Sequence, residues 1–285
     1  MHKPKFSRSR RLSSFCGLLL FLDAPLFLMA EPPPSAVAAF NSYSVAVESR
    51  LARQHRSTDN FLASRGNDPK GSETRLRDGE LIVERLTPAD VDGFSGALLH
   101  HWRGTAFAAG VTSADFGRLM RDFNSYPQYF APQVVQARVI MQRGDCVEVK
   151  MRVRQRHVMP VVLDTTYQVT FARLDARHGY SISRSTRIAE ISSAGTRAER
   201  VLTSREEHGF LWRLNIYWSY EERDDGLYLQ MEAVSLTNSI PRGLSWAIGP
   251  YVNSIPRESL EFTLRSACNA LRKQNALPTK GPEHE

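Results

Sequence analysis

Apolar residues occupy every second position along most of the stretch from residue 134 to residue 237, and this alternation constrains the fold more than any other feature. In the segment CVEVKMRVRQR, valine or methionine alternates with charged or polar neighbours. A period of two is typical of β-strands that bury one face. Short turns such as RGD at 143–145 and DDG at 224–226 separate the strands and favour antiparallel pairing. The sequence therefore predicts an antiparallel sheet.

Helical periodicity precedes and follows this region. Thr112 and Asp115 predict a capping box at the start of a helix over 113–123. An amphipathic helix is predicted over 255–274, beginning at Pro256 with leucines at helical spacing.

A shorter helical segment, RGLSWAIGPYVN, is predicted just before the last helix. Gly249 and Pro250 lie within it, and this pair is expected to stop the segment and separate it from the helix that follows.

The predicted order is one long strand at 97–110, two short helices, six antiparallel strands and a long C-terminal helix. An antiparallel sheet that buries one face against a single helix must curve around that helix. We therefore predict an α+β fold in which a curved antiparallel sheet of about seven strands wraps around the C-terminal helix. The space between sheet and helix is either packed solid or a cavity.

The N-terminus has the pattern of an export signal. A basic run is followed by the apolar stretch LSSFCGLLLFLDAPLFLMA at 12–30 and then by Glu31 and three prolines. This order predicts a signal peptide over 1–30 and a periplasmic or secreted protein. Asp23 and Pro25 interrupt the apolar stretch and argue against a permanent transmembrane helix. The alternative is an uncleaved membrane anchor.

The net charge of +7 is partly due to this segment. Residues 1–30 hold five of the 37 Lys and Arg residues and one of the 30 Asp and Glu residues, so the remaining chain carries about +3. Nucleic-acid binding is therefore not inferred from charge. Export permits a disulfide between Cys146 and Cys268, but the two lie in unlike patterns and are predicted to be free.

The rest of the chain divides by composition. Residues 31–63 are an amphipathic helical extension, with a helix over about 35–57 that is expected either to act as a lid or to pack on the outer face of the sheet. Residues 64–93 are a polar linker with a short strand, and residues 276–285 are predicted to be a disordered tail. The main domain covers 94–275.

One junction carries a family resemblance. The sequences DFNSYP at 122–127 and YFAP at 129–132 end a helix in an aromatic and proline turn before a strand. Together with the element order, this junction resembles the helix-grip fold of the START-like (SRPBCC) superfamily, which includes polyketide cyclases and coenzyme Q-binding proteins. The resemblance implies a cavity that binds an apolar small molecule or lipid. It also leaves open a cyclase or hydrolase, or an interaction domain without a cavity.

Several aromatic residues are candidates for the lining of such a cavity. The alternative interpretation for each is ordinary core packing. Trp212 and Trp218 share their parity with Leu214 and Ile216, which predicts that both point inward. The candidates are Tyr126, Tyr129, Phe130, Tyr167, Phe171, Trp212, Trp218 and Trp246.

Arg184 is the one charged candidate for the cavity. It shares its parity with Ile182 and Ile188 and is expected on the apolar side, where it could meet a ligand carboxylate or phosphate. The alternative is an arginine whose guanidinium reaches water.

A basic stripe along one strand suggests a second contact. It either touches anionic lipid headgroups or is a solvated outer face. The stripe consists of Lys150, Arg152, Arg154 and Arg156.

The sequence contains no catalytic or metal signature. His100 and His101 are adjacent on a predicted strand and point to opposite faces, so they do not form a pair for one metal. Neither a nucleophile elbow nor a phosphate-binding glycine loop is present. We therefore expect no catalytic residue, metal or cofactor, and a binding protein is favoured over an enzyme.

Overall fold

The alternating segments pair into one antiparallel sheet in the computed structural model. The structure describes residues 31–63, 69–87, 94–156, 160–239 and 245–276, apart from the side chains of residues 69, 156, 245–253 and 276. The predicted signal segment 1–30, most of the predicted tail and parts of the predicted linker lie outside these ranges.

Within the described residues, the sheet has nine strands. Its strand order is β1-β2-β9-β8-β6-β5-β4-β3, and β7 pairs with β6 beside this path. The bounds are β1 (Ile82–Arg85), β2 (Ala97–Ala109), β3 (Val134–Arg143), β4 (Cys146–Arg156), β5 (Pro160–Arg173), β6 (His178–Ser192), β7 (Arg200–Val201), β8 (Arg213–Arg223) and β9 (Gly226–Asn238).

The described parts of the chain contain five α-helices beside the sheet. None of the helices in the described part of the chain is long and apolar enough to cross a membrane. Their bounds are α1 (Pro34–Gln54), α2 (Pro69–Arg77), α3 (Ser113–Arg121), α4 (Tyr126–Tyr129) and α5 (Ser245–Ala276), with a 3₁₀ turn at Phe123–Ser125 before α4.

The predicted α+β helix-grip architecture is confirmed. The seven strands of the main domain are β2 to β6, β8 and β9, and the long C-terminal helix lies on the inner face of their sheet. The capping box is present, because Thr112 accepts a hydrogen bond from the backbone of Asp115 and the Asp115 carboxylate accepts one from the backbone of Thr112. The two-residue strand β7 was not predicted.

The C-terminal region differs from the prediction, because α5 is one continuous helix from Ser245 to Ala276. Gly249 and Pro250 do not stop it, and Pro256 lies inside it. A proline removes one helical hydrogen bond and disfavours the helix locally, but it does not have to end it.

Part of the segment predicted as a linker is also helical. In α2, Leu76 is fully buried against Phe107 of β2 and Tyr228 of β9. The next residue, Arg77, binds the β8–β9 turn through Asp225 at 2.7 Å and Asp224 at 2.8 Å. This helix was not predicted because its composition is polar. One buried leucine and one ion-pairing arginine hold it to the sheet.

Helix α5 packs closely against the sheet at Gly104 of β2. A Cβ atom at this position would lie 2.3 Å from Leu260 Cδ2 and 2.5 Å from Leu264 Cδ1. Both leucines are buried in the inner core. Because glycine has no side chain, the helix lies directly on the backbone of β2.

Replacing Gly104 by valine is expected to destabilise the protein by about 2 kcal/mol, because overpacking pushes α5 away from the sheet. Chemical denaturation of G104V and of wild type measures the loss. In the double variant with Leu260→Ala, the two losses are expected to be less than additive. Full additivity would show that the contact with α5 is not the cause.

Helix α1 packs on the outer face of the sheet. Of the two expectations for the N-terminal extension, a lid or a helix packed on the outer face, the second is therefore the one observed. The apolar stripe of α1 contacts the strands β2, β8 and β9. The residues of this outer cluster are Ala36, Phe40, Val47, Leu51, Ala97, Leu99, Trp212, Tyr217, Val234 and Leu236. The central strands are therefore buried on both faces.

A buried polar network joins α1 to the sheet. Tyr43 Oη lies 2.8 Å from His101 Nδ1, and His101 Nε2 donates to Glu232 Oε2 at 3.0 Å. Arg50 of α1 donates to the same carboxylate oxygen. Burial raises the pKa of Glu232, but the hydrogen bond from His101 and the charge of Arg50 outweigh this, and the pKa lies below its usual value.

The end of α1 is held by a buried histidine. His55 Nε2 lies 2.8 Å from Ser219 Oγ, and its ring stacks on Tyr180 with the ring centroids 4.2 Å apart. Burial lowers the pKa of His55 from 6.5 to about 4. The folded protein therefore holds this imidazole neutral at pH values at which the unfolded chain protonates it.

Acidification is expected to weaken the fold through His55. The stabilisation is fully present above the unfolded pKa of 6.5 and is lost as the pH falls toward the folded pKa of about 4. Between pH 7.5 and pH 5 the loss amounts to about 2 kcal/mol. Urea unfolding of wild type and His55→Gln at both pH values measures it, and the variant should show a smaller pH dependence. An equal pH dependence would assign the effect to other groups.

Candidate ligand cavity

A cavity of about 220 Å³ lies between the inner face of the sheet and α5. Helix α5 packs on β2 and β9, whereas the inner faces of β4, β5 and β8 contribute to the cavity wall. Helix α5 makes few contacts with the strands other than β2 and β9, so the space over β4, β5 and β8 is not filled by α5.

The wall of the cavity is mainly apolar. Many of these side chains are only half-buried although they point to the inside of the fold, because they face the cavity and not another side chain. The apolar lining includes Met120, Phe123, Val134, Met151, Val153, Val169, Leu214, Ile216, Met231, Ala233, Leu260 and Phe262.

Aromatic residues form the closed end. Tyr126, Phe130 and Tyr167 are each less than a tenth exposed, and the Tyr126 hydroxyl donates to the Met120 carbonyl at 2.9 Å. Burial raises the pKa of Tyr126 and of Tyr167 far above the usual value. Both phenols are therefore neutral at any physiological pH.

The opposite end of the cavity is open. Phe210 lines it and is 40% exposed, and Leu211, Ile255 and Pro256 beside it are half-buried. Gln155 donates to Ser259 Oγ at 3.4 Å across this end. Access to the cavity through this end would not require displacement of the buried aromatic residues.

Three small hydroxyl residues, Ser183, Ser235 and Thr237, line the strand side of the cavity. Thr237 Oγ1 lies 3.3 Å from His100 Nε2. Burial, with the positive charge of Arg85, lowers the pKa of His100 to about 4. The hydroxyl groups on the strand side of the wall therefore offer neutral hydrogen-bonding groups.

The described part of the cavity wall contains few side chains that could act as a general acid or a general base. His100 reaches the lining through Thr237, whereas His101 is on the outer face beneath α1. No carboxylate is part of the lining formed by the described residues. The same residues contain no cluster of three or more histidine, cysteine or acidic side chains able to hold a metal.

The structure brings together four of the aromatic residues singled out in the sequence. Tyr126, Phe130, Tyr167 and Trp218 all line the cavity. Contact of these residues with a ligand remains a prediction.

Two further candidates lie next to the cavity and not on its wall. The Tyr129 hydroxyl donates to Asp122 at 2.8 Å and accepts from Gln274 of α5 at 2.9 Å, so it ties α4 to α5. Phe171 is a buried core residue covered by the guanidinium of Arg121 at 4.2 Å.

The expectation for Arg184 was wrong. It lies on the outer face, where it donates to Glu48 of α1 at 2.7 and 2.6 Å. A β-bulge at Thr186 reverses the parity of β6 between Ile182 and Ile188, since Thr166 pairs with Arg187 and Tyr167 with Ser185.

The expectation for Trp212 was also wrong. It precedes the first residue of β8, so the alternation of that strand does not extend to it. Its ring is buried in the outer cluster against α1. The side chain of Trp246, the last candidate, lies outside the described residues.

Two members of the basic stripe are neutralised by acidic neighbours. Arg152 binds Asp164 at 2.7 Å and Glu199 at 2.6 Å, and Lys150 lies 3.1 Å from Asp164. Arg154 is among the residues at the open end of the cavity, and the side chain of Arg156 lies outside the described residues. Contact of this stripe with a membrane remains a prediction.

Solved structures resemble this fold at low sequence identity. A STAR-related lipid transfer protein from Xanthomonas axonopodis is 17% identical, with a TM-score of 0.41 over 67% of this chain and 98% of that chain. Zhui aromatase/cyclase from a Streptomyces species is 11% identical, with a TM-score of 0.41 over 64% and 99% of the two chains. A Thermus thermophilus protein is 11% identical, with a TM-score of 0.45 over 61% and 98%.

At these TM-scores the likeness supports no conclusion about ligand or activity, and the fold assignment rests on the sheet and α5 themselves. No protein-family model and no curated protein matches the sequence.

Proposed function

We propose that this protein is an exported binder of an apolar small molecule such as a lipid or a quinone. Its helix-grip fold has an apolar cavity beneath the long C-terminal helix. The observation that carries the proposal is the cavity of about 220 Å³, with a wall that is mainly apolar and an open end at Phe210. The N-terminal pattern of basic residues followed by 19 mostly apolar residues at 12–30 supports export.

Burial of the ligand in the cavity provides the affinity. Each CH₂ group transferred from water into this wall contributes about 0.8 kcal/mol. The volume lies just below the range of about 300–1,000 Å³ usual for ligand pockets. The ligand is therefore a small ring compound, or a longer molecule whose remainder extends through the open end.

The hydroxyl groups on the strand side orient the ligand. Ser183, Ser235 and Thr237 can donate to or accept from a carbonyl or hydroxyl group. The closed end offers only apolar and aromatic surface and neutral phenols. A ligand with a neutral polar group and an apolar body fits this arrangement.

A cyclase or hydrolase on the same fold has less support. His100 contacts the lining residue Thr237, and its lowered pKa leaves a weak base. Turnover that disappears in a folded His100→Ala variant would favour the enzyme over the binder.

The direct test is to express the chain from its own N-terminus, purify it gently and analyse it by native mass spectrometry and organic extraction. A lipid or quinone bound at close to one molecule per protein is expected and would identify the ligand class. A protein that is empty and takes up no lipid or quinone from mixed micelles would overturn the proposal.

A further inference from the structure

A surface groove of about 610 Å³ lies beside α3, apart from the apolar cavity. None of the residues that line this groove also lines the cavity. Three of the six described residues in its lining are arginines, two from α3 and one from the last position of β5. The lining consists of Ala114, Gly117, Arg118, Arg121, Asp122 and Arg173.

Polar atoms from three elements converge on Gly117. A Cβ atom at this position would lie 3.0 Å from Arg173 Nη2, 3.7 Å from Tyr220 Oη and 3.8 Å from Arg121 Nη1. Glycine disfavours the interior of a helix relative to alanine. These neighbours are ends of side chains and not backbone atoms of the sheet, so packing against the sheet does not require glycine here. The missing side chain instead leaves space between the three polar atoms.

Arg173 brings an uncompensated positive charge to this space. Arg118 pairs with Asp115, and Arg121 donates through Nη2 to Asp145 at 3.1 Å. The guanidinium of Arg173 forms no ion pair or hydrogen bond with any residue that the structure describes. Arg121 Nη1 and Arg173 Nη2 lie within about 7 Å of each other, so the two charges repel. An anion between them would turn this repulsion into attraction.

The acidic residue in the lining does not supply that anion. The Asp122 carboxylate accepts a hydrogen bond from the Tyr129 hydroxyl at 2.8 Å, and this hydroxyl accepts one from Gln274 of α5 at 2.9 Å. The carboxylate is therefore engaged with α4, and within the described residues it forms no ion pair with Arg173. The counter-charge for Arg173 has to come from outside the chain described here.

A buried hydroxyl group points to the same place. Tyr220 of β8 is 3% exposed, and its ring packs on Phe116 of α3 with the centroids 5.0 Å apart. The ring fits there because Gly179 of β6 has no side chain that would overlap it. Its hydroxyl has no hydrogen-bond partner among the described residues. Buried polar groups are normally hydrogen-bonded, so this O–H is available to an acceptor above Gly117.

We propose that this groove binds a phosphate group, either as the free ion or as the monoester of a small molecule, between Arg173, Arg121 and the Tyr220 hydroxyl. Guanidinium groups match the spacing of phosphate oxygens and bind them through paired N–H donors. Three oxygens of a phosphate can accept from the three converging donors, whereas a carboxylate has only two oxygens. The site is independent of the apolar cavity and of the function proposed for it.

Isothermal titration calorimetry of the purified protein with inorganic phosphate tests the site at pH 7.5 and constant ionic strength. Arg173→Gln is expected to weaken binding by at least about tenfold, because it removes a charged donor. Arg138→Gln is the matched control, since Arg138 is an exposed arginine of β3 that does not line the groove. It removes the same charge and should bind phosphate as wild type does.

Gly117→Ala tests the space between the donors. The added methyl group displaces Arg173 Nη2, and phosphate binding is expected to weaken by about tenfold. The unfolding temperature should stay the same or rise, because alanine favours a helix. A loss of binding with unchanged stability therefore reports the groove and not damage to the fold. Arg173→Gln should also unfold at the wild-type temperature or slightly above it, because a repulsive charge is gone.

Two results would overturn the proposal. One is wild-type protein that binds no phosphate at millimolar concentration, and the other is equal loss of binding in Arg173→Gln and Arg138→Gln, which would reflect general attraction by positive charge. The same titration with glycerol 3-phosphate distinguishes the two sources. Tighter binding of glycerol 3-phosphate would identify a monoester as the ligand, and tighter binding of inorganic phosphate would identify the free ion.

Discussion

Replacing Glu232 by alanine is expected to lower the free energy of unfolding by about 3 kcal/mol. The carboxylate is 2% exposed and accepts hydrogen bonds from His101 and Arg50, and Arg103 Nη1 lies 3.8 Å from its second oxygen. Removing it leaves a buried imidazole and nearby guanidinium groups without their acceptor, which costs more than the pair itself contributes. Urea denaturation at neutral pH measures the loss.

Glu84→Ala is the matched control. Glu84 binds Arg103 at 2.9 Å on the same side of the sheet, but its side chain is partly exposed. An exposed ion pair contributes about 0–1 kcal/mol, so this variant should stay close to wild type. Similar losses in the two variants would mean that burial of the network does not determine its contribution.

The second large effect is expected from filling the cavity. Ala233 of β9 lines the cavity, and phenylalanine at this position places a ring in a space of about 220 Å³. Binding of the co-purifying ligand is expected to weaken by about a hundredfold, which corresponds to about 2.7 kcal/mol. Stability should change by less than about 1 kcal/mol, because the ring occupies existing space. Ligand titration and thermal unfolding measure the two quantities.

Ala172→Phe makes the same change on a different part of the sheet. Ala172 of β5 is half-buried and does not line the cavity, so ligand affinity should remain that of wild type. If Ala233→Phe binds the ligand as tightly as Ala172→Phe does, the ligand is bound elsewhere. If Ala233→Phe unfolds, the smaller Ala233→Leu provides the same comparison.

Strand positions were predictable because each depends on local alternation. The predicted strand at 97–110 agrees with β2, and the alternating stretch from 134 to 237 agrees with the span from the start of β3 to the end of β9, each within one residue. The continuity of α5 was not predictable, because α5 contains two prolines. The existence of α2 was not predictable either, because α2 depends on contacts with residues distant in sequence.

The cavity wall was only partly predictable, for a related reason. Parity in a strand separates two faces but does not say which face is inside. Here α1 buries the outer face too, so Trp212 and Tyr217 are as buried as Trp218. Arg184 shares the outer face with Ile182, which packs against the outer cluster beneath α1, whereas the bulge places Ile188 on the other face. Leu214 and Ile216 were recognisable from their shared parity with Trp218, whereas Ser183 and Ser235 carry no signal in sequence.

Gly104 also defines where the width of the cavity can be tuned. Because it has no side chain, α5 lies directly on β2 at this position. The distance between helix and sheet then increases toward β4 and β5, where the cavity lies. A side chain added at Gly104 should push α5 away from the sheet and widen the cavity. A smaller residue at Leu260 or Leu264 should let α5 move closer to the sheet and narrow the cavity. A residue that does not itself line the cavity but contacts Leu260 of its wall therefore gives protein engineers, and natural variation, a means to change which ligands fit.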